Sequence, residues 1–472
     1  MASADLILNK VKNGKTAVLG FGVSNKPLVE LLLGMGADIT VHDKKDKGDI
    51  AEAESLEARG VRFVTGEGYL DKIDADVIFR SPGIRPDKAA IADAVSHGAI
   101  LTSEMELFLE LTPARVIGVT GSDGKTTTTT LIYKLLSKEL ENSERRVYVG
   151  GNIGTPLLDK AAEMTERDIA VLELSSFQLF TVRRSPNVSA LTNVSENHMD
   201  WHRDSMEEYV EAKCNIFRYG GARLTTNGAN PICQRICEDS GIDTEVFSAR
   251  LSLDELISSN PKAKAYYYLK GDLICRYDGD KEIEILDTSE ILIPGKHNIE
   301  NYMTAISVTW GEVSFDSIRA VAGSFGGVEH RLELVRELDG VRYYNSSIDS
   351  SPARTAAALS AIPKKPIVIC GGYDKNLSFA PLAEALGKMA KAVIITGATM
   401  DKISGALMNE PSCSSDRLTV HCERDFTKAV LLARSIASEG DIVLLSPACA
   451  SFDAFKNFEE RGNYFKKIVK GF

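Results

Sequence analysis

Residues 116–136, VIGVTGSDGKTTTTTLIYKLL, constrain this chain more than any other stretch. The run 116–119 (VIGV) is apolar and of strand length, 120–124 (TGSDG) is a cluster of turn residues, and Leu131, Ile132, Leu135 and Leu136 recur at helical spacing. Strand, glycine-rich turn and helix in that order make a phosphate cradle. Glycines let backbone N–H groups approach an anion, and the helix N-terminus adds partial positive charge. Lys125 would reach the terminal phosphates of a nucleotide, and the Thr126 hydroxyl would ligate Mg²⁺. The general pattern G-x-x-x-x-G-K-[ST] asks for Gly at position 119, where Val119 stands, so the loop is a variant.

At 472 residues the chain is too long for one core, and two to four domains are expected. A net charge of −11 with ordinary hydrophobic and charged fractions describes a soluble globular protein and argues against nucleic acid as a partner. Eight cysteines without paired metal spacing read as reduced thiols, most of them packing residues. No signal peptide opens the chain and no apolar run is long enough for a bilayer, so a cytoplasmic location with no membrane partner is expected.

From the N-terminus, 15–20 (KTAVLG) reads as a strand, followed by an apolar helix through Leu33 and a strand at 38–43 (DITVHD). Gly20 and Gly22 form half of a dinucleotide fingerprint, with Asn25 where the third glycine belongs. The turn is compatible with a dinucleotide fold, with a relative binding another nucleotide, and with a bare βα turn. Asp43 stands at the distance of a ribose or base contact. Residues 76–80 (DVIFR) form a strand entering 81–83 (SPG), a second turn with N–H groups available. The first domain is expected to close near Glu106.

In the middle region, 148–154 (YVGGNIG) is a strand into a glycine-rich turn, where Asn152 offers its amide to a polar ligand. The apolar strand 169–176 is interrupted by Glu173, either a strand-end acid facing solvent or a Mg²⁺ ligand. Its place two strands after the phosphate loop favours the metal. Glu196, His198, Asp200 and His202 cluster just past a strand end, which marks a site. Lys213 falls in a helix, where spacing alone reads as a solvated lysine. The break at 292–298 (LIPGKHN) precedes a helix carrying Asn298 and Asn301 as hydrogen-bonding caps. Past a boundary near 326, strands at 341–344, 366–370, 392–396 and 441–446 alternate with helices, a second doubly wound α/β domain. GGYDK (371–375) and SPACAS (446–451) both follow strands and so lie at its ligand edge.

TGSDGKTT, ELSSFQL, NVSENHMDWH, GKHN, EHRLE, GGYDK and SPACASFDAFKNFEERG together resemble the Mur ligase family, in its order and spacing across essentially the whole chain. The resemblance implies an α/β protein of three domains. A Rossmann-like N-terminal domain (1–106) would hold a UDP group, and a central P-loop ATPase domain (107–326) with a mainly parallel sheet would hold ATP. A mobile Rossmann-like α/β C-terminal domain (327–472) would hold an amino acid. It further implies a monomer that joins D-glutamate to UDP-N-acetylmuramoyl-L-alanine at the expense of ATP, with two Mg²⁺ ions. By motif, Gly121, Ser122, Asp123, Gly124, Lys125, Thr126, Thr127, Asn298, His330 and Arg331 would contact ATP, Arg331 reaching phosphate from the C-terminal domain. Thr126, Glu173, His198 and a carbamylated Lys213 would serve the metal, with Lys125, His198 and Lys213 catalytic. Asp43, Ser81, Gly83, Asn152, Ser175 and Gln178 would hold the UDP-sugar, and Ser350, Lys375, Ser451 and Phe458 the D-glutamate.

The chain departs from the family pattern once. Many members read Asn-Asp-Ser-Lys-Ala-Thr where this chain reads NSSIDS at 345–350, so Ser346 and Ile348 replace Asp and Lys. Asp349 and Ser350 are expected to compensate. A nicotinamide-dependent oxidoreductase is the rival from another class, and it leaves Lys125, Thr126 and Glu173 without a role. A switch or transport ATPase needs no second substrate domain. Folate-polyglutamate ligases share the loop but not SPACASFDAFKNFEERG.

Overall fold

The computed structural model describes residues 4–375, 377–414 and 418–472. These form two compact units, Met1–Ile291 with Lys296–Gly323, and Leu292–Gly295 with Ser324–Phe472. The first unit holds two sheets and the second holds one.

The N-terminal sheet contains β1 (Lys15–Leu19), β2 (Asp38–Asp43), β3 (Arg62–Thr65), β4 (Val77–Arg80) and β5 (Ile100–Thr102), ordered β3-β2-β1-β4-β5 with every pair parallel. This is one half of a Rossmann-type sheet, and its reversal point lies between β1 and β4. The turns after those two strands are the two glycine turns of the sequence.

The large sheet of the same unit contains β6 (Arg115–Thr120), β7 (Val147–Gly151), β8 (Ile169–Glu173), β9 (Val188–Leu191), β10 (Arg223–Asn227), β11 (Asp243–Ser248), β12 (Ala265–Lys270), β13 (Leu273–Tyr277) and β14 (Glu282–Asp287). Its order is β14-β13-β12-β11-β10-β9-β6-β8-β7, parallel from β7 to β12, with β13 and β14 as an antiparallel appendix. Strands β8 and β9 are buried throughout, as expected of parallel strands covered on both faces. The chain leaves β6 for β7 on one side and later returns to β9 on the other. The crevice above β6 is therefore a topological switch point, where open α/β sheets bind ligands.

The second unit's sheet runs β15-β16-β20-β17-β18-β19, with β15 (Glu333–Leu338), β16 (Val341–Asn345), β17 (Ile367–Gly371), β18 (Ala392–Thr396), β19 (Thr419–Cys422) and β20 (Ile442–Leu445). Only β15 is antiparallel to its neighbour. Late strand β20 inserts between β16 and β17, so the segments after these three strands share one edge. All eight cysteines are free thiols and six are buried, in keeping with packing roles. Among the described residues no helix is long and apolar enough to cross a membrane.

Candidate active site

The phosphate loop joins β6 to the helix Lys125–Glu139. Gly121 adopts φ +149°, and a Cβ there would lie 1.9 Å from Thr192 Oγ1. Gly124 adopts φ +78°, with a Cβ position 2.5 Å from Asn301 Oδ1. Both sites need glycine, for backbone conformation and for close approach. Lys125 Nζ donates to the carbonyls of Gly121 (3.0 Å) and Ser122 (2.8 Å), so the ammonium lies over its own loop. Thr126 and Thr127 open the helix, half-buried.

The expected N–H cradle is narrower than the sequence suggested. Ser122 N–H donates to Asn193 O (2.9 Å) and Asp123 N–H to Asn193 Oδ1 (3.0 Å). The Ser122 hydroxyl donates to Ser195 O at 2.9 Å and lies 3.0 Å from Tyr209 Oη. Ser122 thus holds the loop to the segment after β9. Asn298 stands in the helix Lys296–Val308, its Oδ1 accepting from Asn301 Nδ2 at 3.1 Å, while Thr128 Oγ1 donates to Asn301 Oδ1 at 3.1 Å.

Glu173 closes β8 beside the loop strand and is not a solvent-facing acid, being only 2% exposed. Its Oε1 accepts from Asn152 Nδ2 at 2.8 Å, while its buried Oε2 has no hydrogen-bond partner among the described residues. Burying a carboxylate oxygen without a donor is costly, and a cation relieves that cost. The residues therefore fit Mg²⁺. Among the described residues no three His, Cys, Asp or Glu side chains converge on a point, and a Mg²⁺ ion commonly completes its shell with phosphate oxygens and water. Asn152 orients the carboxylate through one N–H of its amide.

Lys213 overturns the solvated-lysine reading: it is 1% exposed. Its helix, Met206–Arg218, buries Tyr209, Ala212, Lys213 and Ile216 on one face, which sets the lysine among apolar neighbours. Lys213 Nζ donates to Gly121 O at 2.7 Å and lies 4.5 Å from the centre of the Tyr209 ring. Burial first, then the charge of Lys125, push its amine well below the ordinary lysine range. His198, at φ +54°, sits on the exposed segment past β9 with its ring 4.9 Å from Phe177. Partial burial, then Lys125, lower its pKa, with Asp200 opposing, which favours the neutral imidazole that a metal would require. Glu196 and Asp200 are exposed beside it. His202 is not: it is fully buried, with Nε2 at 3.0 Å from Ser176 Oγ.

The expected UDP-sugar residues lie along the same unit's ligand edges, and several serve the fold there. Asp43 Oδ2 accepts from Phe21 N–H (2.6 Å) and Oδ1 from Lys45 N–H (2.8 Å), closing the first glycine turn. Asn25, where a dinucleotide fold has glycine, donates to Gly20 O (2.8 Å) and Ser81 Oγ (3.0 Å). The amide ties the two turns together, a role glycine lacks. Gly83 O accepts from Trp201 Nε1 at 3.2 Å. Ser175 and Gln178 form a capping box: Ser175 N–H and Oγ donate to Gln178 Oε1 (3.0 and 2.9 Å) and Gln178 N–H returns to Ser175 Oγ (3.2 Å).

In the second unit, Ser350, Lys375 and Ser451 follow β16, β17 and β20 and share that sheet's C-terminal edge. Lys375 is exposed, Ser350 is half-buried and Ser451 is buried. Phe458 opens the last helix, Phe458–Lys470, with its ring edge-on to His330 at 5.9 Å. His330, expected at the nucleotide, is buried and receives Asn345 Nδ2 on Nδ1 at 2.9 Å, whereas Arg331 is exposed. Asp349 does not present a free carboxylate in place of the family Asp. It is buried, accepts from Ser446 Oγ at 2.7 Å, and burial raises its pKa. Ser346 is structural as well, its Oγ accepting from Leu332 N–H at 3.2 Å.

Two buried arginines escaped the sequence reading. Arg80 folds the 81–83 turn, donating to the carbonyls of Ser81 (3.2 Å), Pro82 (3.0 Å) and Ile84 (2.6 Å) and to Phe177 O (2.9 Å). Arg461 fixes the segment after β20 by donating to the carbonyls of Ser347 (2.9 Å), Cys449 (3.0 Å) and Ala450 (3.0 Å). An arginine ending an otherwise apolar strand was the available signal for Arg80.

Comparison with known proteins agrees with this architecture. The profile of the MurD N-terminal domain matches residues 15–90, that of the Mur ligase middle domain 119–309, and that of the Mur ligase glutamate ligase domain 330–449. A UDP-N-acetylmuramoylalanine–D-glutamate ligase of Acetivibrio thermocellus is 46% identical over 466 residues, covering 98% of this chain and 97% of its own. One from Ruminiclostridium cellulolyticum is 44% identical, covering 97% of each. In fold, the chain is similar to the UDP-N-acetylmuramate–alanine ligase MurC of Thermotoga maritima, with a TM-score of 0.53 at 17% identity over 97% of this chain and 99% of that one. A type C pseudomurein peptide ligase of Methanothermus fervidus gives 0.50 at 18% identity over 97% and 100%. With curated relatives this similar from end to end, the chain belongs to the UDP-N-acetylmuramoylalanine–D-glutamate ligases of the Mur ligase family.

Proposed function

We propose that this chain joins D-glutamate to UDP-N-acetylmuramoyl-L-alanine by an amide bond, at the expense of ATP, as a cytoplasmic step in the synthesis of peptidoglycan precursors. The observation that carries the reading is the crevice above β6, where a glycine loop with Lys125 adjoins a buried carboxylate oxygen without a donor and a buried lysine. The chain divides the work among residues 1–106 for the UDP group, 107–326 for ATP and 327–472 for D-glutamate, and it acts as a monomer.

A carboxylate is a poor electrophile and its oxide a poor leaving group, so the alanyl carboxylate must first take the γ-phosphoryl group of ATP. The D-glutamate amine then attacks the acyl carbon, and the tetrahedral species collapses to the amide and phosphate. Two anions approach in the first step, and Lys125 offsets their repulsion where charge accumulates. Mg²⁺, in two ions when bound, supplies further neutralisation of phosphate charge at Thr126, Glu173 and His198. Asn152 holds Glu173 in place, and the lowered pKa of His198 favours its neutral form. Asp43, Ser81, Gly83, Asn152, Ser175 and Gln178 orient the UDP-sugar from the ligand edges of the first unit's two sheets. Asn298, His330 and Arg331 serve the nucleotide, and Ser350, Lys375, Ser451 and Phe458 take D-glutamate, whose two carboxylates suit a lysine and hydroxyls.

Lys213 acts as its carbamate. An ammonium about 4 Å from a divalent cation is repelled by roughly 8 kcal/mol at an effective dielectric near 20. The neutral amine attacks CO₂, an N–C bond forms and a proton leaves to solvent, so a carbamate anion stands where the ammonium would be and the sign is reversed. Burial of Lys213 keeps the amine available for the reaction. Lys213→Ala is expected to be nearly inactive and to regain part of its turnover with acetate, a small carboxylate. ¹³C NMR with labelled CO₂ reads the carbamate directly, and a bare ammonium in active, metal-loaded enzyme contradicts it.

The activity is tested by phosphate release across candidate acceptors and amino acids. Release is expected only when UDP-N-acetylmuramoyl-L-alanine and D-glutamate are both present. Release with neither, or equal release with another amino acid, contradicts the reading.

A further inference from the structure

Arg85 lies two residues beyond Gly83, and its guanidinium reaches the helix that carries Lys213. Its Nη1 donates to Glu208 Oε1 at 2.9 Å and its Nη2 to Glu208 Oε2 at 3.0 Å, a two-pronged pair with the side chain 13% exposed. Asp87 also accepts, from Nη2 at 2.7 Å and from Nε at 3.1 Å, and the Trp201 carbonyl accepts from Nη1. The guanidinium also lies over the Trp201 and Phe180 rings, 4.9 and 5.4 Å from their centres. Exposed ion pairs contribute little, but a forked, stacked and nearly buried one fixes geometry.

What Glu208 is attached to gives the pair its consequence. Glu208 lies in the first turn of Met206–Arg218, its N–H capped by Ser205 Oγ at 3.1 Å. The next residue, Tyr209, touches Ser122 of the phosphate loop through its hydroxyl, and one turn on Lys213 holds Gly121 O. On the other side, Trp201 donates its indole N–H to Gly83 O (3.2 Å) and its backbone N–H to His198 O (3.1 Å). The segment from the 81–83 turn to Arg85 is thus joined to the helix that touches the phosphate loop by the guanidinium, and to the His198 segment by Trp201.

We propose that Arg85 is a positioning residue, coupling occupancy of the 81–83 turn by the UDP-sugar to the geometry of the phosphate loop through its fork on Glu208. The inference rests on the reading that this turn takes the UDP-sugar and the loop takes ATP. An arginine that only stapled two sheets would affect thermal stability and leave the two ligands independent. A coupling residue makes each ligand change the affinity of the other, by the same factor in both directions.

The test is calorimetry on the full chain with Mg²⁺ and a non-hydrolysable ATP analogue, with and without UDP-N-acetylmuramoyl-L-alanine. Wild-type enzyme is expected to bind the analogue about 5-fold or more tightly when the acceptor is bound. Arg85→Lys keeps the charge but loses the fork, and Glu208→Gln keeps the shape but loses the charge. In each, the factor is expected to fall to within about 2-fold of unity while affinity for the analogue alone stays within about 2-fold of wild type. Thermal melts establish that both variants are folded, and either variant alone suffices. Wild type without coupling, or either folded variant with undiminished coupling, overturns the proposal. Failure of the underlying reading looks different: the acceptor then does not bind wild-type enzyme at all.

Discussion

The side-chain nitrogen of Lys213 sits 2.7 Å from the carbonyl oxygen of Gly121, so one buried lysine ties its helix to the phosphate loop. Desolvation, then the neighbouring Lys125 charge, lower the pKa of that amine. The amine is protonated as pH falls through this depressed value, so the proposed carbamate is expected to be lost on the acid side. Enzyme held under CO₂-free buffer on that side is expected to lose about 10-fold or more of its turnover and to recover it on adding bicarbonate at neutral pH. Turnover indifferent to bicarbonate contradicts the carbamate.

Asn152 fixes Glu173 Oε1 and leaves Oε2 without a donor. Removing a residue that orients a metal ligand weakens the metal more than it weakens the fold. Asn152→Ala is expected to raise the Mg²⁺ concentration for half-maximal rate about 10-fold or more. Initial rates across a Mg²⁺ series measure this, and an unchanged half-saturation point contradicts the role given to Glu173.

Glu104 gives a pH dependence of folding unrelated to catalysis. It is buried with Oε1 lacking a partner among the described residues, and burial, then the Asp159 charge, raise its pKa from 4.5 to about 8. Below pH 4.5 both folded and unfolded states hold the proton, and there is no effect. Between 4.5 and about 8 only the unfolded chain ionises, so stability falls as pH rises. The penalty reaches on the order of 4 kcal/mol at the top of that window. Denaturant melts across the range should show Glu104→Gln with a flatter pH profile than wild type. Parallel profiles contradict the burial argument.

How much of this was legible in the sequence depends on how far each interaction reaches along the chain. The phosphate loop was legible because strand, turn and helix are consecutive, and apolar runs such as β8 and β20 announced buried parallel strands. Glu173 was placed at its strand end, but its burial was set by the sheet's neighbours. The burial of Lys213 was available from Tyr209, Ala212 and Ile216, whose helical spacing includes position 213 on the apolar face. Read as an isolated residue type, lysine gave the wrong answer. Asp349 looked free for a ligand because its partner, Ser446, is brought to it only by sheet order, and the Asn345 bond to His330 is hidden from the sequence for the same reason. The Arg85–Glu208 pair spans 123 positions, and no local pattern marks either partner.

Lys375 is exposed after β17, at the edge shared with Ser350 and Ser451. A charge-assisted contact to a substrate carboxylate is lost when the cation is removed. Lys375→Ala is expected to raise KM for D-glutamate about 10-fold or more while KM for ATP stays within about 2-fold. Steady-state kinetics with each substrate varied distinguish this from a general loss, and equal changes in both constants contradict the assignment.

In the proposed reaction the crevice above β6 moves a phosphoryl group onto the substrate's carboxylate before an amine attacks. UDP-N-acetylmuramoyl-L-alanine labelled with ¹⁸O in both alanyl carboxylate oxygens tests it directly, because the acyl phosphate transfers one of those oxygens to the released phosphate. Mass spectrometry of the products is expected to find one ¹⁸O in each phosphate and one in the new amide carbonyl. Amide formed with unlabelled phosphate contradicts the account.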